Sequence, residues 1–168
     1  MQPLTQDDIR ILYLKAGSVS EPVQISLTQA NLECPPPYDA LSYCWGQPVE
    51  ESRFVITCDG KQMVVTQNLH EALPFLRFED RDRALWIDAI CINQESEDEK
   101  SQQVGIMKQI YEKADKVIIW LGKMADEHRA AFKVLEMFKW STDMNKGYQY
   151  NFDQNMIDGI LPPPQSSA

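Results

Sequence analysis

The apolar positions of this chain change their spacing partway along it. Residues 9–15 (Ile-Arg-Ile-Leu-Tyr-Leu-Lys) and 23–27 alternate well enough for two strands joined through Gly17-Ser18, a hairpin expected at a sheet edge. Cys34-Pro35-Pro36-Pro37 is a stiff spacer that cannot lie inside a sheet. Residues 38–43 then read as a central strand closed by a Trp45-Gly46 turn. Residues 54–57 and 62–65 flank Asp59-Gly60, a strong hairpin signal. From there the spacing becomes helical. Thr66-Gln67-Asn68 supplies caps for a helix over 69–78 with Leu69, Ala72, Leu73 and Leu76 inward, kinked or divided at Pro74.

After the charged loop 79–83, residues 84–88 form a buried strand ending in Trp86-Ile87-Asp88. A polar turn, Asn93 to Ser96, leads into an amphipathic helix over 97–114 with Val104, Met107, Ile110, Tyr111 and Ala114 as its stripe. Residues 116–122 are nearly all apolar, which suits a strand covered on both faces in a parallel sheet. A helix follows over 126–140 with Ala130, Val134, Leu135 and Phe138 inward, then a short one within 148–160. Residues 161–168, with three prolines, read as a flexible tail or linker. The expected fold is α/β, three-layered, with strands 38–43, 84–88 and 116–121 at the centre of a mainly parallel sheet. One domain, residues 1–160, is expected, with hairpins in 9–65 and a parallel core in 38–140.

Composition narrows the partners. The 168 residues are 43% hydrophobic and 24% charged, an ordinary globular balance, with a net charge of −9. That charge argues against nucleic acid or an anionic membrane surface as partner. Cys34, Cys44, Cys58 and Cys91 show no CxxC spacing, and only His70 and His128 could join them, so no metal is expected. Without a signal-peptide pattern or a run of roughly 20 apolar residues, the chain reads as cytoplasmic with no membrane span.

Three segments together carry a family resemblance. Tyr38-Asp39-Ala40-Leu41-Ser42-Tyr43-Cys44-Trp45-Gly46 is the first. Leu85 to Gln94, with Glu99-Lys100 and Gln103-Val104, is the second. Met107, Ile110-Tyr111, Ala114 and Val117 to Gly122 are the third. In order and spacing they resemble the HET (heterokaryon incompatibility) domain of filamentous fungi. The resemblance implies a signalling domain that triggers cell death after non-self recognition, often as the N-terminal part of a larger protein. It also implies self-association and an upstream sensor domain or protein. The same segments are more distantly similar to TIR domains, which implies a TIR-like or flavodoxin-like core. Some TIR domains cleave NAD between nicotinamide and ribose with one helical glutamate. By motif order that residue is Glu99, with Glu97 as the fallback. NAD would be substrate, with no other cofactor, and activity would follow oligomerisation.

The residues admit both plain and chemical readings. Ser96 to Glu99 is a capping box, and acidic residues suit a helix N-terminus. Glu99 also lies about 80° from the centre of the apolar stripe at about 100° per residue, a border position that suits a cleft wall. Cleavage of an N-glycosidic bond builds positive charge at ribose C1′, which a nearby carboxylate stabilises. Asp88, ending its strand, needs either backbone amides or ligand hydroxyls. Trp45 is either core or a stacking surface for a base or nicotinamide ring. Asn93 and Gln94 either cap the turn or read an amide or ribose. Ser42, Tyr43, Gly46 and Gln103 complete the expected substrate site. Ser42 lacks a base nearby, and Cys91, expected in mid-strand, reads as inert core.

Overall fold

The computed structural model describes residues 3–5, 7–46 and 54–122, which apart from Gly122 belong to one compact unit, Met1–Leu121. Among these residues seven strands form one sheet: β1 (Asp8–Leu14), β2 (Gln24–Asn31), β3 (Asp39–Tyr43), β4 (Phe54–Cys58), β5 (Lys61–Val65), β6 (Arg83–Trp86) and β7 (Lys116–Trp120). Their spatial order is β5-β4-β2-β1-β6-β3-β7. Among the described residues three helices accompany them, α1 (Gln67–Leu76), the single turn α2 (Asp88–Cys91) and α3 (Glu97–Lys113).

The first hairpin is the middle of the sheet, not its edge. β1 pairs antiparallel with β2 from Asp8↔Asn31 to Leu14↔Ile25, and antiparallel with β6 at Leu12↔Leu85 through Leu14↔Arg83. The reason is visible in the strand itself, where Ile9, Ile11, Leu12 and Leu14 are all buried. A strand apolar on both sides has no solvent face to offer an edge. The second hairpin forms as expected. Asp59 (φ 48°) and Gly60 (φ 76°) take the paired positive φ of a tight turn, and β4 and β5 run antiparallel from Phe54↔Val65 to Cys58↔Lys61.

The expected mainly parallel sheet is instead mixed, with the antiparallel ladders the more extensive. Parallel pairing joins β2 to β4, and β3 to both β6 and β7. Within the block β6-β3-β7 the parallel expectation holds, but β7 is an edge in this sheet. Val117, Ile119 and Leu121 are 48%, 60% and 72% exposed, so the β7 run is not covered on both faces by the described residues.

α1 runs unbroken past Pro74 and ends at Leu76. Pro74 falls in the last turn, where the missing N–H removes only one terminal bond. Thr66 caps the helix by accepting from the Leu69 amide (3.3 Å). Phe75 stacks on Trp120 with ring centroids 5.7 Å apart, while Tyr111 of α3 meets Trp86 edge-on at 5.6 Å. Since Trp120 pairs with Tyr43 and Trp86 with Ala40, these two tryptophans occupy opposite faces of the sheet, and so α1 and α3 contact opposite faces. The buried positions of α3 are Glu99, Gln103 and Ile110, and Val104 is exposed, so its inward stripe is more polar than the apolar spacing predicts. Arg83 binds Asp39 (2.8 and 3.0 Å) and the Leu76 carbonyl (3.0 Å), fastening the starts of β6 and β3 to the end of α1. The helices expected over 126–140 and 148–160 and the tail 161–168 lie outside the described residues.

Candidate functional site at the end of the parallel strands

β3 and β6 are parallel neighbours, so their C-terminal ends open on the same rim of the sheet. Ligands of α/β proteins gather at such rims, where strand ends release side chains and backbone groups from the sheet. β3 continues into Cys44-Trp45-Gly46. Gly46 has φ +80°, a conformation that favours glycine, and a Cβ there would stand 3.1 Å from Asn68 Nδ2, so that side chain would have to shift slightly to admit one. Asn68 secures the turn by donating to the Cys44 carbonyl (2.9 Å).

β6 ends at Trp86, and Asp88 is not a strand terminus but the first residue of α2. Its Oδ1 accepts from the Ala89 amide (2.7 Å) and from Trp45 Nε1 (3.3 Å), and its Oδ2 accepts from Trp45 Nε1 (3.1 Å). Burial raises the Asp88 pKa, and these two donors offset part of the rise. Trp45 is 43% exposed, so it is a surface ring tethered by its N–H, not core. The Tyr43 hydroxyl is buried without a hydrogen-bond partner among the described residues. Burial first, then the Asp88 charge, raises its pKa, and the nearby Thr66 hydroxyl lowers it in part without reaching hydrogen-bond geometry. Tyr111, whose hydroxyl donates to the Leu41 carbonyl (3.1 Å), has its pKa raised by burial first and then by the Asp88 charge. Gln94 Nε2 donates to the carbonyls of Asp88 (3.0 Å) and Ile92 (3.3 Å), binding the next loop to this rim.

Glu99 occupies different surroundings. It is 7% exposed and receives Arg10 Nη1 at 2.5 Å, Arg10 Nη2 at 3.0 Å and the Asn93 amide at 2.7 Å. Arg10 Nη1 also donates to the Cys91 carbonyl (2.9 Å). The Arg10 hydrogen bonds hold the Glu99 carboxyl below the usual carboxylate range, against the opposing effect of burial. Ser96 Oγ accepts from the Glu99 amide (3.3 Å), which is half of a capping box. The other half is not made in the usual way, because the Glu99 carboxylate turns to Arg10 and Asn93. The hydrogen bonds described for Glu99 link it to Arg10, Asn93 and Ser96, not to Asp88, Trp45 or Tyr43, and its side chain is buried.

The remaining expected residues divide. Glu97, the fallback, is 85% exposed at its side chain and paired with Lys100 at 2.7 Å. Asn93 Oδ1 caps the turn through the Glu95 amide (3.2 Å). Gln103 is buried against β1, its Nε2 on the Asp8 carbonyl (2.9 Å). Ser42 is half-buried on β3 beside Ile119. Cys91 closes α2 and is not in a strand; its buried sulfur accepts from the Ile87 amide (3.4 Å). The rim therefore gathers Tyr43, Trp45, Gly46, Asp88 and Gln94. Sequence reasoning missed Arg10, although a charge inside an apolar strand, Ile9-Arg10-Ile11-Leu12, signals a buried partner. The rim can accept hydroxyl groups at a desolvated carboxylate and stack a flat ring on an exposed indole. Among the described residues no three His, Cys, Asp or Glu side chains group to hold a metal, and no helix is long and apolar enough to cross a membrane.

Residues 38–159 match the family described as Heterokaryon incompatibility protein (HET). The chain is 34% identical over 139 residues, 76% of its length, to Heterokaryon incompatibility protein 6, OR allele, of Neurospora crassa. It spans about a fifth of that relative's length, the matched part being 20% of it. No solved structure matches the chain.

Proposed function

The chain belongs to the heterokaryon incompatibility (HET) family, and from that premise we propose that it is a cell-death-inducing module of fungal non-self recognition that binds and hydrolyses NAD at the β3–β6 rim. The observation that carries this reading is Asp88, a partly buried carboxylate beside an exposed, N–H-tethered indole at the end of parallel strands. The nicotinamide riboside half of NAD presents ribose hydroxyls and a flat pyridinium ring, and Asp88 with Trp45 offers the matching groups. In the reaction, the bond between nicotinamide N1 and ribose C1′ breaks and its electron pair leaves with nicotinamide. Water adds at C1′ and loses one proton, giving nicotinamide and ADP-ribose. Asp88 is assigned to face the ribose and stabilise the positive charge at C1′. Glu99, the carboxylate that motif order favours, has its oxygens engaged by Arg10 and the Asn93 amide, and is assigned a positioning role. The module acts in the cytoplasm, clustered by a sensor domain or protein, consistent with a relative about five times the matched length.

The test is nicotinamide release from NAD by purified protein at high concentration or under crowding. The proposal expects turnover that Asp88→Asn abolishes and Trp45→Ala weakens through a higher KM. Full turnover in Asp88→Asn would remove the assignment. A second reading, a non-enzymatic adaptor acting by self-association, draws on the exposed apolar row formed by Val117 and Ile119 of β7 and Leu121 just past its end. It expects concentration-dependent assembly and no NAD turnover under any clustering condition.

A further inference from the structure

Arg10 lies outside the stretch that matches the family, yet its buried guanidinium touches both ends of the connection between α2 and α3. One end is the Cys91 carbonyl, the last residue of α2; the other is the Glu99 carboxylate in the first turn of α3. Between them, the Asn93 amide donates to the same carboxylate, and Gln94 returns to the Asp88 and Ile92 carbonyls. The four-residue helix carrying Asp88 is thus held at its far end by Arg10 and at its near end by Gln94. A helix of one turn has little stability of its own. Burial of Ile90 and Cys91 packs it against the sheet, and the polar contacts at its two ends fix how Asp88 is presented to Trp45.

We propose that Arg10 is a positioning residue of the rim site, which acts through Glu99 and the Cys91 carbonyl to hold Asp88 against Trp45. The proposal rests on the NAD reading for its kinetic consequence but not for its structural one. Arg10 supplies two geometrically fixed donors to Glu99 and a bond to a carbonyl. A lysine keeps the charge but cannot make this fork. Glu99→Gln keeps an acceptor for Asn93 and for one Arg10 donor, and so keeps part of the clamp.

Two readouts separate the clamp from a general effect on folding, both measured well below the melting transition. The first is hydrogen exchange of the Asn93 amide. The second is the NMR resonance of the Trp45 indole N–H, identified by its loss in Trp45→Phe. In Arg10→Gln the Asn93 amide should exchange at least tenfold faster, and the indole signal should move towards the position of an indole exposed to water. Arg10→Lys should give the same changes in smaller degree, and serves alone if Arg10→Gln does not fold. With NAD as probe, kcat/KM should fall at least fivefold in Arg10→Lys, carried mainly by kcat because Asp88 acts on the charge at C1′. An indole signal unchanged in folded Arg10→Lys and Arg10→Gln would overturn the proposal. If the unaltered protein turns over no NAD, the NAD reading fails, while the exchange and indole measurements still decide the clamp.

Discussion

A buried carboxylate persists only when its charge is met, and Glu99 is met by a two-pronged guanidinium and a backbone amide. Removing one partner of such a pair strands the other. Arg10→Met should therefore cost about 3–5 kcal/mol in urea unfolding, and adding Glu99→Leu to it should recover much of that loss. The pair also sets an acid limit. The Glu99 pKa in the fold is depressed below its ordinary 4.5 by the Arg10 hydrogen bonds. A depressed carboxyl contributes stability that is complete above about 4.5 and is lost as pH falls through the folded value. The urea midpoint of the unaltered protein should fall more steeply than that of Glu99→Gln between pH 5 and pH 3. Asp88 behaves in the opposite sense, since burial raises its pKa and its ionisation opposes folding. Asp88→Asn keeps an acceptor for the Trp45 indole and removes the desolvated charge. It should leave the melting temperature unchanged or higher while removing NAD turnover, the pattern expected of a group kept for function at some expense of stability.

At the scale of elements, the sequence announces local structure well and pairing poorly. The Asp59-Gly60 hairpin and the Ser96 and Thr66 caps are legible because each rests on a few adjacent residues with a single conformational demand. The position of β1 is not, because strand order depends on which apolar faces meet across the chain. The clue is that β1 is apolar on both sides, which excludes an edge. The parallel run of β3 with β6 and β7 is legible from helix-separated apolar runs, whereas the insertion of β1 beside β6 has no local signal. The site divides in the same way. Tyr43, Trp45, Asp88 and Gln94 gather because strand ends are predictable meeting points. Glu99 is drawn inward by Arg10, 89 residues away in sequence, a distance that no motif spacing reports. This placement carries a prediction about the first strands. β1 supplies Arg10 and pairs with β2 and β6, although the family match begins at residue 38. Removing residues 1–37 should abolish cooperative unfolding in circular dichroism, and a folded truncated chain would contradict the register described above.

For the whole molecule, family membership gives the setting, and the proposed NAD chemistry is assigned to the rim. The net charge of −9 disfavours anionic surfaces as partners but does not oppose a nucleotide held by a few local groups. Self-association of so acidic a chain should strengthen as salt screens its repulsion, which makes ionic strength a useful variable in any clustering assay. The most direct measurement is nicotinamide released per molecule from NAD under clustering, compared among the unaltered protein, Asp88→Asn and Glu99→Gln, each confirmed as folded by its melting transition. The account predicts release by the unaltered protein, none by Asp88→Asn and a reduced but measurable rate for Glu99→Gln. Release by Asp88→Asn at the unaltered rate, or its complete loss in Glu99→Gln with the Trp45 indole signal in place, would contradict it.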